Sequence, residues 1–152
     1  MTIAAIDFQM LANAGYPPAR FAAGEVIFTE GDKGDAMYVV RSGEVAIEHR
    51  GHTMETLGGG GIFGEMALID GSPRSATVRA KTDCEVVPIR EKTFLFLVHE
   101  TPYFAIAVMR TLAGRLRHMN SAERLGEVEP RLVGGFFMAK RTAASGAIGT
   151  AQ

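Results

Sequence analysis

Tryptophan is absent from this 152-residue chain, and cysteine occurs once, at Cys84. A lone thiol cannot close an internal disulfide, complete a cysteine-ligated zinc finger or hold an iron–sulfur cluster, so Cys84 is expected to act as a small buried hydrophobe. A surplus of positive charge is also missing: 16 Lys and Arg stand against 17 Asp and Glu, a formal net charge of -1. That balance removes the electrostatic footprint of a dedicated nucleic-acid binder, and no nucleic-acid partner is expected. Long apolar runs are lacking too. The stretch from Phe94 to Met109 is broken by His99, Glu100 and Pro102, so it does not read as a membrane span. The N-terminus, MTIAAIDFQM, has no basic region and carries Asp7, unlike a secretory signal. A cytoplasmic location with no membrane partner is the expectation.

The usual catalytic constellations are missing as well. His49 and His52 flank a turn at Gly51 with no cluster of Asp, Glu or Cys beside them, and His99 and His118 read as helix-surface residues, so no metal is expected. Ser42, Ser72 and Ser75 lack a GxSxG elbow, and no GxxxxGK[ST] stretch offers a lysine and a hydroxyl to a nucleoside triphosphate. Gly59, Gly61 and Gly64 do spell GxGxxG. A dinucleotide turn of that spacing must open a long helix, and here Gly71 and Pro73 stop any helix after about two turns. No catalytic residue and no cofactor are expected, and the chain is not read as an enzyme.

What is present is a series of short runs rich in Val, Ile, Phe, Tyr and Thr: Val26 to Thr29, Met37 to Ser42, Val45 to His49, Thr53 to Leu57, Ala76 to Ala80 and Cys84 to Ile89. Glycine-marked turns separate them, which indicates a small antiparallel barrel or sandwich rather than strand–helix alternation. Residues 1–19 read as an N-terminal helical or coil segment ending at Pro17-Pro18. After Pro88 the period changes. Phe94, Leu95, Leu97 and Val98 suggest a short helix, and Thr101-Pro102 supplies an N-cap and a first-turn proline for a long helix reaching about Leu125. Residues 127–152, with Gly134-Gly135 and an Ala/Gly/Ser/Thr-rich end, are expected to be a largely disordered tail.

The stretch FGEMALIDGSPRSATV, Phe63 to Val78, concentrates the chemistry. A short helix over Glu65 to Ile69 would aim its first N–H groups toward Gly64, where the backbone can approach an anion closely. Arg74, returning after the Gly71-Ser72-Pro73 turn, can face the same point and neutralise one charge. Glu65 beside a phosphate makes sense if its oxygens accept from a hydroxyl elsewhere on the ligand. A 3',5'-cyclic nucleotide has one charge and one free ribose hydroxyl. Taken singly, Arg74 also fits a surface ion pair and Glu65 a helix-start carboxylate.

At FGEMALIDGSPRSATVRAKT the chain resembles the phosphate-binding cassette of the cyclic nucleotide-binding domain family, which includes regulatory subunits of cAMP-dependent protein kinase and bacterial catabolite activator proteins. AGEVIFTEGDKGDAMYVVRSGEV resembles the family's first strands and glycine turns. The resemblance implies a mainly β fold with flanking helices: an eight-stranded jelly-roll-like β-roll, a short phosphate-binding helix and a long C-terminal helix, spanning residues 20–126. It also implies that Glu65 binds the ribose 2'-OH and Arg74 the cyclic phosphate, with Gly64, Met66, Ala67, Ser75 and Ala76 giving backbone or short side-chain contacts. Asp35 would steady the arginine from behind, and Ile47, Met54 and Leu57 would line the base side.

The family's larger members carry a helix-turn-helix domain or a second nucleotide domain, and neither is recognisable here. The expectation is a stand-alone module that binds cAMP in preference to cGMP and signals through an unidentified effector protein or its own oligomerisation. The alternative is an interaction module of the same fold that has lost nucleotide binding. Ser75 can serve either a phosphate oxygen or a guanine amino group, so it leaves both nucleotides open. By the same likeness the long helix is a lid on the base, where Met119 would cover the ring and Asn120 would reach the adenine edge, in its own chain or across a dimer. Met109, Leu112, Leu116 and Met119 alternate at spacings of three and four, with Ala105 one step before. Such a stripe suits either a homodimer seam or packing on the domain's own β-roll.

Overall fold

The computed structural model describes residues 8–124; of residues 119–124 it describes the helical backbone alone. The elements run α1 (Phe8–Ala12), β1 (Ala19–Phe21), β2 (Val26–Phe28), β3 (Ala36–Ser42), β4 (Val45–His49), β5 (His52–Leu57), β6 (Ile62–Phe63), α2 (Met66–Ile69), β7 (Thr77–Ala80), β8 (Cys84–Arg90), α3 (Glu91–Glu100) and α4 (Tyr103–Arg124). The strands form two four-stranded antiparallel sheets, ordered β1-β8-β3-β6 and β2-β7-β4-β5. The expected mainly β fold with flanking helices is therefore the observed one. Reading the residues alone misses β1 and β6, because strands of three and two residues are too short to display alternation. The expected tail 127–152 lies outside the described residues.

One core lies between the sheets, where Val40, Phe63 and Val86 of one meet Val45, Ile47 and Val78 of the other. Cys84 belongs to this cluster at 4% exposure, the buried small hydrophobe its isolation suggested. Burial, reinforced by Asp83 and Glu25, pushes its thiol pKa up. A second core forms on the outer face of the first sheet, where Met37, Val39, Val87 and Ile89 pack against Phe104 and Val108 of α4 and Ala12 of α1. The sheet holding β3 and β8 is thus covered on both sides, which explains why AMYVVRS and CEVVPIR are nearly continuous apolar runs. Phe104 meets Phe8 and Phe94 edge-on at centroid distances of 6.1 and 5.4 Å. These contacts seat the first half of α4, leaving its second half to run past the mouth of the roll.

Leu112 packs against this second core, and Leu116 is half-buried, whereas Met109 is 56% exposed. The apolar stripe of α4 is therefore split: Leu112 is engaged by its own domain, the second of the two uses the stripe suited, while Met109 is left exposed. The side chain of Met119 lies outside the described residues.

Candidate functional site

The segment between α2 and β7 is shaped by short polar side chains before it delivers its arginine. Asp70 Oδ1 accepts from the Ser72 backbone N–H at 2.9 Å and from the Ser72 hydroxyl at 2.6 Å, turning the chain at Gly71, whose φ is +72°. The backbone of Arg74 is then pinned to the turn between β2 and β3: its N–H donates to Asp32 O, and its carbonyl accepts from Gly31 N–H, both at 2.8 Å.

The Arg74 side chain enters the roll and is 6% exposed. Its Nη1 donates to Gly64 O at 2.9 Å and its Nη2 to Ala36 O at 2.8 Å, while Cζ lies 4.0 Å from the centroid of the Phe28 ring. Its Nε–H is buried without a hydrogen-bond partner. Burial pushes the guanidinium pKa below its ordinary value, against the attraction of Tyr38, Asp35, Glu65 and Asp32. An arginine stays charged in such surroundings, so the site holds a fixed cation with one unsatisfied donor. Two glycines make the slot. A Cβ at Gly64 would come within 2.7 Å of Nη1, and one at Gly34 within 2.3 Å of Cζ and Nε.

Glu65 stands at the N-terminus of α2, as a helix-start carboxylate would, but its side chain makes no cap hydrogen bond there. It is 5% exposed. Both its oxygens lie 3.2 Å from Nη1 of Arg115, a residue of α4 that sequence reasoning missed. Arg115 also pairs through Nε with Glu55 Oε1 at 3.2 Å and donates through Nη2 to Ile62 O at 2.5 Å. A signal for it did exist. Leu112, Arg115 and Leu116 are spaced three and four apart on one helical face, and a charge on a buried stripe asks for a buried partner.

Gly64, Glu65, Met66, Ala67, Arg74, Ser75 and Ala76, all seven expected contact residues, line a single cavity with about 490 Å³ of empty space including its mouth. Ile47 forms part of the wall, as expected, with Phe28, Phe63, Val78, Pro73 and Arg115, which were not foreseen. Met54 and Leu57 are not among the wall residues; Leu57 packs on the core between the sheets. Asp35 does not brace the arginine by contact. Its carboxylate is 82% exposed and lies 3.8 Å from Arg90, and Arg74 spends its donors on backbone carbonyls instead. The side chains of Met119 and Asn120 lie outside the described residues.

The chemistry of this cavity is that of a small-molecule binding site. A buried cation, a carboxylate paired with a second arginine and apolar side chains in one wall suit an anionic ligand that carries a hydroxyl and a flat apolar part. Among the described residues no group of His, Cys, Asp and Glu is arranged to hold a metal ion, and no helix is long and apolar enough to cross a membrane.

Comparison with known proteins agrees with this geometry. The family model described as the cyclic nucleotide-binding domain matches residues 18–101, more than half of the chain. A cyclic nucleotide-gated potassium channel of Rhizobium etli is 39% identical over 98 residues, which is 64% of this chain and 27% of the channel. The cyclic AMP receptor protein of Thermus thermophilus is 38% identical over 112 residues, 70% of this chain and 52% of that protein. The crystal structure of the Thermus thermophilus catabolite activator protein superposes with a TM-score of 0.68 at 34% identity, covering 80% of this chain and 59% of that one. The chain thus spans about a quarter to about half of the relatives' lengths. From cavity, fold and family match together, the chain belongs to the cyclic nucleotide-binding domain family.

Proposed function

We propose that this domain is a cytoplasmic receiver for a cyclic nucleotide, cAMP ahead of cGMP, and that ligand binding is relayed through α4 to a partner protein or to a second copy. The observation that carries the reading is Arg74: a buried guanidinium in the cavity wall, held by two carbonyls, with its Nε–H unpartnered. One cation suits one phosphodiester charge, whereas a nucleoside triphosphate would bring several charges to a site that offers one. Glu65 accepts the ribose hydroxyl, and Ile47 and Val78 provide apolar surface for the base. The preference for cAMP draws on the relative named a cyclic AMP receptor protein. No residue here is assigned a catalytic role, and the domain acts as a receiver rather than a catalyst.

The relay draws on Arg115. It reaches from α4 to Glu65, the carboxylate assigned to the ribose, and to Glu55 and Ile62 O. A hydroxyl that donates to Glu65 competes with Arg115 for the acceptor sites of that carboxylate, so the ligand and the helix act on the same group. A ligand shifts such an equilibrium by its differential affinity for the two helix positions. Titration calorimetry with cAMP tests the assignment. One site per chain is expected, with affinity reduced roughly a hundredfold or more in Arg74→Ala, since bonds from a charged donor are worth about 1.5–3 kcal/mol each. No heat with the wild-type protein, or equal affinity for the variant, would overturn it.

A further inference from the structure

A second buried polar side chain lies outside the cavity wall. His49 ends β4 at the β4–β5 hairpin and is 8% exposed, with both ring nitrogens buried and without hydrogen-bond partners. Its Nδ1 is nevertheless 3.1 Å from Oε1 of Glu30, within reach of charge attraction but off the alignment a hydrogen bond requires. Leaving both nitrogens unsatisfied costs free energy, and an apolar residue here would avoid that cost.

Glu30 belongs to the turn that holds Arg74. Its N–H donates to the Thr77 hydroxyl at 3.0 Å, the next residue Gly31 donates to Arg74 O, and Asp32 accepts from Arg74 N–H. Gly34, further along the same turn, backs the guanidinium so closely that no Cβ fits. The turn therefore sets both the backbone and the side chain of Arg74, and His49 contacts it through Glu30.

We infer that His49 is a positioning residue for Arg74: its imidazolium pairs with Glu30, fixes the turn, and makes the affinity of the anion site depend on pH. The inference rests on the reading of Arg74 as the anion-binding residue. The charged and titratable groups on the elements around His49 are Glu30, Asp32, Lys33 and Asp35 in the turn, Glu48 beside it on β4, Arg50 at the hairpin tip, His52 and Glu55 on β5, Arg79 on β7, which pairs with Glu48, and Arg74 across the turn. Histidine is the side chain that ordinarily changes charge between about pH 5 and 8. A protonated ring would hold Glu30 by ionic attraction, and a neutral one would hold it only weakly. Affinity for an anion therefore falls as pH rises through this range.

The test measures cAMP binding to the full chain from pH 5.5 to 8.5 at constant ionic strength, a range in which the phosphodiester keeps its single charge. The wild type is expected to bind about two- to fivefold more weakly at the alkaline end, the span of a partly exposed ion pair. His49→Gln and Glu30→Gln should abolish the slope, and Glu30→Asp should retain part of it. Glu30, whose side chain is 43% exposed, tolerates substitution if His49→Gln fails to fold. A ligand-free readout runs beside it: the Arg74 Nε–Hε resonance should follow the His49 titration in the wild type and not in Glu30→Gln. Equal slopes in wild type and both variants, or an Arg74 resonance indifferent to His49, would overturn the inference. Absence of cAMP binding at every pH would instead overturn the proposed function, and the resonance would still decide the coupling.

Discussion

Replacing Gly34 by alanine probes the arginine slot without touching any group assigned to the ligand. The added Cβ would lie 2.3 Å from Cζ and Nε of Arg74 and 2.6 Å from Nη2, where real Cβ contacts essentially never fall below 3.0 Å. Gly34 is not one of the glycines with positive φ, so the backbone accepts alanine and the strain falls on the guanidinium. The guanidinium has to leave its bonds to Gly64 O and Ala36 O, and its Nε–H turns with it. If one charge-assisted bond to the ligand is lost, at about 1.5–3 kcal/mol, affinity for cAMP falls about ten- to 150-fold. Stability should change much less. The loss of bonds to two carbonyls is partly offset by the about 0.4–1 kcal/mol that Gly→Ala gains by restricting the unfolded chain. Calorimetric titration and thermal melting of the same samples separate the two effects. Gly58→Ala is the control, since a Cβ there meets nothing within 4 Å. Wild-type affinity in Gly34→Ala, or an affinity loss no larger than that of the control, would refute the slot as the determinant of binding.

The 2'-deoxy analogue of cAMP should bind about fivefold more weakly, near the low end of the cost of a lost hydrogen bond, because Arg115 still satisfies Glu65; equal binding in a competition assay would remove Glu65 from the ribose site. Arg115→Gln leaves the buried Glu65 without its cation, so amide exchange along residues 110–118 should accelerate at least about tenfold in the ligand-free protein, and unchanged exchange would show that α4 is held by Phe104, Val108 and Leu112 alone. Competition between cAMP and cGMP should favour cAMP, and a clear preference for cGMP would reverse that part of the proposed function.

The glycine, the carboxylate after it and the arginine were readable because all three lie within sixteen residues, and a turn marked by Gly71 and Pro73 can return Arg74 to Gly64 in only a few ways. What lay beyond local spacing was harder to read. Arg115 reaches Glu65 across 50 positions of sequence, and nothing local to α4 reports where the helix crosses the roll. Asp35 neighbours the turn that holds Arg74, but the direction of its side chain depends on Arg90, which β8 brings alongside β3. Met54 and Leu57, placed on the base side by resemblance alone, sit on a strand whose pairing with β4 shifts register between Ile47 and Glu48, so plain alternation cannot say which β5 residues face the cavity. Leu112 met a tertiary competitor, since a helical stripe suited to a second helix suits a buried sheet equally well.

The solitary sulfur has a practical consequence. Cys84 begins β8, pairs across to Phe21 of β1 and is packed between the two sheets, with its thiol kept protonated by burial. An aromatic disulfide reagent can modify it only after the roll has parted, because attack requires an accessible thiolate. The chain thus contains one built-in clock for its own opening, read as a single colour change per molecule with no label to introduce. If modification needs the whole roll to come apart, a bound nucleotide slows the clock by the factor 1 + [L]/Kd. If β1 merely lifts from β8, the clock runs on at the same rate with the ligand in place, and the difference tells which half of the roll yields first.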